Sequence, residues 1–258
     1  MKSLEFLIVV AVVGFLAQLV DGTLGMGYGV TSSTLLISLG LAPAIASASV
    51  HFAEVFVALV SGASHFRLGN ARMDIFLPLA ISGIIGGVAG AYFLVNVPNR
   101  PISLVVGLIL LAMGFVILYR FLLGRIKFRD PNRKYSAKKL SVLGFFAAMI
   151  DAIGGGGWGP VCTPTLVVKG AEPKHAIGSV NLAEFFVSLA ITITFIILLG
   201  IEKFRLDIAA LLLVAGIIAA PIAAYATKKL PHKTLGVLVG IIVIALSARI
   251  IAKALGIL

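Results

Sequence analysis

Glu54 and Glu184 stand inside long apolar runs of this 258-residue chain, and each has a polar residue three positions earlier, His51 and Asn181. Residues three apart on a helix share a face. An ionised carboxylate inside a bilayer costs roughly 3 kcal/mol or more, so such acids are expected to serve function. His51 and Glu54 can exchange protons across neutral pH; the competing role is a buried pair that only holds structure.

Asp21 and Asp151 precede glycine-rich stretches. The first holds Gly25, Gly27, Tyr28 and Gly29, followed by Thr31, Ser32 and Ser33. The second reads Asp-Ala-Ile-Gly-Gly-Gly-Gly-Trp-Gly-Pro from Asp151 to Pro160, with Gly155, Gly157, Trp158 and Gly159 inside it and Thr163 beyond. Interior glycines cost a helix about 1 kcal/mol each and proline about 3. After the second break only residues 161–168 remain before Lys169-Gly170, roughly 12 Å of helix at about 1.5 Å per residue. A helix is expected to enter the bilayer, unwind, and resume as a half-helix whose N-terminus points inward. Such a terminus exposes N–H groups and about half a positive charge, enough to hold a small anion without a fixed cation. The backbones of Gly25, Gly27, Gly29, Gly155, Gly157 and Gly159 are the candidate donors, with hydroxyls from Thr31, Ser32, Ser33 and Thr163, and with Tyr28 and Trp158 as walls. Close helix packing is the glycines' alternative role. For Asp21 and Asp151 the choice lies between capping a helix start and a proton or cation site.

Composition dictates the elements that must position these groups. The chain is 60% hydrophobic and 12% charged, with a mean hydropathy of +1.14, against roughly 25% charged residues in soluble domains. Stretches 75–97, 102–121, 183–199 and 208–225 are continuously apolar, and about 20 such residues cross a bilayer as a helix. The expected class is an all-α polytopic membrane protein, because barrel strands are shorter and alternate apolar with polar. Net charge is +11, but eight of the 21 Lys and Arg lie between Arg120 and Lys139; this marks a cytoplasmic loop and not a nucleic-acid surface. A single cysteine, Cys162, excludes an internal disulfide. The apolar start, residues 4–20, has the look of a secretory signal, yet its pattern recurs at residues 140–150 and belongs to the mature fold.

That recurrence extends along the chain. Shifted by 130 positions, 18 of the 46 residues from Gly14 to Leu59 are identical, including Asp21 with Asp151, Gly40 with Gly170, Pro43 with Pro173 and Glu54 with Glu184. After a three-residue insertion the shift becomes 133, pairing Arg72 with Arg205, Asp74 with Asp207 and Gly107 with Gly240. The expected organisation is a first membrane repeat over 1–124, a basic cytoplasmic loop over 125–139 and a second repeat over 140–258, each repeat carrying a glycine-broken helix. Odd or even numbers of crossings per repeat both place 15 basic residues inside and 6 outside, so charge does not choose between them. Inverted repeats are the expectation, by analogy with secondary transporters.

Gly-x-Gly-x-Gly after an Asp, a short apolar run, Gly-x-x-Pro and Ser-Val-x-x-Ala-Glu, all present twice, make the chain resemble the TauE/SafE sulfite exporter family of membrane permeases. The first copy departs from the second, with Leu24, Met26 and Val30 where the second has Gly154, Gly156 and Pro160. The resemblance implies transport of sulfite, organosulfonates or related sulfur-containing anions by a multi-pass protein of the cytoplasmic membrane. Proton coupling through His51 and Glu54 is a further expectation. A cation or metal-ion transporter using the four acids is the alternative. A membrane enzyme is the third reading, disfavoured because His51-Phe-Ala-Glu54 lacks zinc-protease spacing and Cys162 has no nearby histidine. No cofactor, bound metal or nucleic acid is expected; the partners are a small anion and membrane lipid, and the sequence leaves a homodimer open.

Overall fold

The computed structural model describes residues 4–24, 26–123, 135–226 and 232–257. Ten α-helices order these residues: α1 (Leu4–Leu24), α2 (Tyr28–Ser38), α3 (Pro43–Arg67), α4 (Met73–Asn96), α5 (Asn99–Leu123), α6 (Ala137–Gly154), α7 (Trp158–Val168), α8 (Pro173–Leu199), α9 (Leu206–Ala226) and α10 (His232–Ala254). Among the described residues there is no strand. The helices are separated where propensity demands it. Pro43 and Pro173 occupy first turns, where their missing N–H costs nothing, and Gly155, in the left-handed region at φ 70°, closes α6.

Residues 43–67, 73–96, 101–122 and 174–199 are long and apolar enough to cross a membrane. Without a hydrophobic drive between helices in lipid, small residues face inward and large ones outward. On α4 the buried face carries Gly83, Gly86, Gly87 and Gly90, and the exposed one Leu77, Ile81, Ile85, Val88 and Tyr92. That glycine face lies along α6: a β-carbon on Gly144 would sit 2.8 Å from the Leu79 carbonyl oxygen, and one on Gly90 would sit 2.6 Å from that of Met149. The two helices therefore run in the same direction. In contrast, α3 and α8 run in opposite directions, with Gly62 against Leu182 and Glu54 against Ser188.

One face of the molecule gathers Gly40, Pro43, Ser103 and Lys253 around a cavity, and the opposite face gathers Tyr135, Lys139, Leu166 and Lys169. Helix α6 thus starts at the second face, and α7 returns to it. The first pair mirrors this at the other face. Gly14 lies beside Leu212, and Tyr28, past the first break, lies beside Gly216 farther along α9, so α1 runs inward with α9 from the first face and α2 comes back to it. Each hairpin is followed by three further helices, α3, α4 and α5 after the first and α8, α9 and α10 after the second. Helices α1 and α6 start at opposite faces. The expected half-helix at 161–168 starts earlier, at Trp158, because Pro160 falls in the first turn, where proline is tolerated. Likewise α6 begins at Ala137, ahead of the expected boundary at 140. The basic loop itself lies largely outside the described residues.

Candidate functional site

The two breaks meet in the middle of the molecule. A β-carbon on Gly156 would overlap the backbone of Gly29 and Val30, and one on Gly29 would lie 3.2 Å from Glu54 Oε1. Only glycine allows this approach. Gly27 holds φ 124°, a region closed to most side chains, and from it α2 departs. Ser33 on α2 donates its hydroxyl hydrogen bond across the seam to the Gly155 carbonyl, and Ser47 on α3 donates to the Ala152 carbonyl at 2.7 Å. The first half is stitched to the second through these backbone oxygens.

Each half-helix is capped by the aspartate that precedes its break. Asp151 Oδ1 accepts the Trp158 backbone N–H at 3.1 Å, and the Asp21 carboxylate accepts the equivalent bond from Tyr28. Capping neutralises part of the positive terminus. Asp151 does more. Its Oδ2 lies 3.2 Å from His51 Nε2, across the interface between halves, whereas Glu54 Oε2 is 3.9 Å from the same nitrogen. His51 Nδ1 donates to the Ser47 carbonyl at 2.9 Å. With that nitrogen fixed as a donor, the His51–Asp151 contact requires one proton, held on the ring or on the carboxyl group. Ser188 on α8 donates to Glu54 Oε2 at 3.2 Å. His51 is wholly buried, and Glu54 and Asp151 are nearly so.

Four carboxylates, Asp21, Glu54, Asp151 and Glu184, line one small central pocket with Gly27, Gly29, Gly156, Gly157 and Gly159. Trp158 and Pro160 complete one wall and Val30 part of another. The pocket's free volume is about 10 Å³, room for a single water. His51, Glu54 and Asp151 offer one nitrogen and two carboxylate oxygens within 4.8 Å of one another, a donor set that a divalent cation could use.

Several sequence candidates lie elsewhere. Gly155 holds Ser33 instead of facing the pocket. Thr31, Ser32, Ser33 and Thr163 are buried along the half-helices and do not line the pocket. Gly25 lies outside the described residues. Asn181 is directed to Ser61, donating to its hydroxyl at 3.0 Å, and not to an acid. Trp158 Nε1 donates to the Val180 carbonyl at 3.0 Å, whereas the buried Tyr28 hydroxyl finds no partner among the described residues. Gly156, Val30 and Pro160 were missed, although the second break's extra glycine was visible; Ser47 and Ser188 carried no local signal beyond lying one helical turn from His51 and Glu184.

This constellation of broken helices and buried acids belongs with a description of residues 10–250, which match the model of a family described as sulfite exporter TauE/SafE. The chain belongs to the TauE/SafE family. It is also 43% identical over 245 residues to the probable membrane transporter protein YtnM of Bacillus subtilis (strain 168), covering 94% of this chain and 82% of that protein. No solved structure matches. Family and relative together indicate that this TauE/SafE chain is a membrane transporter.

Proposed function

We propose that this chain is a secondary transporter for a small sulfur-containing anion, sulfite or an organosulfonate, coupled to protons. The observation that carries this reading is the meeting of two half-helix N-termini in a pocket whose ionisable lining, among the described residues, is acidic. The termini attract an anion, and ionised carboxylates repel it, by about 4 kcal/mol for a charge 4 Å away at an effective dielectric of 20. Anion occupancy therefore requires protons on the pocket acids. Protons and substrate enter together, and the single proton shared by His51 and Asp151 supplies the route between halves. A pocket that fits one water holds neither sulfite nor a sulfonate, so the described conformation is a closed one that must open to load.

The same geometry supports reading the halves as inverted copies, since the equivalent hairpins enter from opposite faces. Lys139 and Lys169 share a face with Arg67, Arg72 and Lys174 at the helix ends, which supports reading that face as the cytoplasmic one under the positive-inside tendency. A second reading, a cation or metal-ion transporter, is favoured by one observation, the His51, Glu54 and Asp151 donor set. Flux in proteoliposomes decides between them. Sulfite, sulfate, thiosulfate and small sulfonates are offered under an imposed pH gradient, and sulfite uptake that rises with external acidity is expected. Cation flux without anion flux would overturn the anion reading. Glu54→Gln is expected to flatten the pH dependence.

A further inference from the structure

If the substrate is an anion, the acid-lined centre leaves open what first attracts it, and the charged side chains around α2 supply an answer. Arg120, in the last turn of α5, is partly buried and turned inward: its Nη1 lies 3.3 Å from Met26 Sδ in the first break. Met26 adjoins Gly27, which lines the central pocket. The guanidinium also lies 5.8 Å from the centre of the Phe121 ring, but a weak thioether acceptor and a ring face leave most of its five-donor fork without a strong acceptor. The positive-inside tendency accounts for an arginine at this end of the helix but not for its turning from water toward a glycine break.

At the other face stands the corresponding cation. The shift of 133 that pairs Gly107 with Gly240 pairs Arg120 with Lys253 on α10. Lys253 Nζ lies 3.4 Å from the Ser38 carbonyl at the end of α2 and lines a cavity of about 390 Å³ with Gly40, Pro43 and Ser103. That cavity has ample room for a hydrated small oxyanion. Lysine beside a helix C-terminus is a common cap, but capping does not explain a cation at the matching position of each half, one at either end of the 11-residue α2.

We infer that Arg120 and Lys253 are the docking cations for the anionic substrate on the cytoplasmic and outer faces respectively. This rests on the anion reading above. Each would hold an oxyanion by charge-assisted hydrogen bonds, with Arg120 passing it to the N–H groups at the first break.

Sided kinetics test the assignment. Sodium sulfite flux is measured in right-side-out and inverted membrane vesicles carrying wild type, Arg120→Gln, Arg120→Lys or Lys253→Gln, with the amount of folded protein normalised by size-exclusion chromatography. Losing a charged hydrogen bond should raise KM about tenfold. Arg120→Gln should do so for sulfite presented from the cytoplasmic side, Arg120→Lys should restore most of it, and Lys253→Gln should raise KM from the outer side only. Wild-type KM in the glutamine variants on their assigned sides, or an equal change on both sides, would overturn the docking roles while leaving the anion reading intact. Absence of sulfite flux in wild type would overturn the anion reading and this assignment together.

Discussion

The two glycine breaks are alike in plan and unlike in chemistry. Both end in a half-helix of 11 residues whose first N–H is capped by an upstream aspartate. In the second break the aspartate also faces a histidine from the other half, the aromatic is anchored through its indole, and Gly156 lets the two backbones touch. In the first, Met26 stands where Gly156 does, the Tyr28 hydroxyl is unpartnered among the described residues, and Asn181 bonds Ser61 in place of an acid. The shared features build the scaffold. Those that differ converge on the His51–Asp151 contact between the halves, the group to which the proposed proton coupling is assigned.

The largest effect that tests this difference is expected from Gly156→Ala. An added methyl has backbone on the other side and nowhere to go, and overpacking of that kind costs about 3 kcal/mol; detergent melting curves should show it, with flux lost. Met26→Ala, at the matching position, empties one of the largest fully buried side chains and should also lower the melting point, at a cost of about 2 kcal/mol or more, but should keep transport. If both variants behave alike, the seam is not the organising contact.

Asp151→Asn and Asp21→Asn come next. The first removes a partner from a buried ionisable pair, a loss of roughly 3 kcal/mol, and should abolish proton-coupled flux. The second removes one pocket acid but, for stability, weakens a cap worth about 1 kcal/mol. Equal losses in chemical denaturation would show that Asp151 is merely a second cap. A finer probe is His51→Asn paired with Asn181→His. Replacing His51 should leave residual flux without its pH dependence. A histidine at 181, directed at Ser61, should not restore it. Recovery of the pH profile in the double variant would show that the halves are interchangeable.

The smallest effects belong to the ion pairs at the two faces, Arg72 with Asp74 and Arg205 with Asp207. They are equivalent in position and solvent-exposed, so Asp74→Asn and Asp207→Asn should each cost less than about 1 kcal/mol. Hydrogen bonding to Asp74 raises the Arg72 guanidinium above its ordinary value. A raised basic group stabilises the fold at all pH values below its unfolded value, and that contribution is lost only as pH climbs through the folded one. This pair therefore gives no pH dependence near neutrality, and stability measured across that range should be flat for it.

Much of this was legible in the sequence because duplication marks what packing and capping need twice. The glycines and the aspartates before them were found by sliding the chain against itself, and the apolar spans by composition alone. The partner of His51 was not. Spacing on one helix pointed to Glu54, three residues away, whereas the closer contact is Asp151, 100 residues along the chain, brought near only by the crossing of the halves. Asn181 fails the same local rule because α3 presents Ser61 to it. The hydroxyls after each break were read as donors to the site from proximity in sequence, but helical rotation turns them into the packing between helices. The faces at which the two hairpins open were hidden too, since a hairpin adds apolar length without adding a crossing, and neither hydropathy nor charge counts distinguish the two.

The glycine seam has a consequence for the cell as a whole. Where Gly156 lies on Gly29 and Val30 the two backbones close directly on one another, and the pocket that the described residues line beside them has room for no more than about one water. A protein built to move charge must also be an insulator when idle, because each copy that leaked would drain the membrane potential on which every other coupled process depends. On the transport reading proposed above, residues with no side chain at all keep that barrier tight, and the same two strips of backbone would let a substrate through on parting and hold the voltage on meeting.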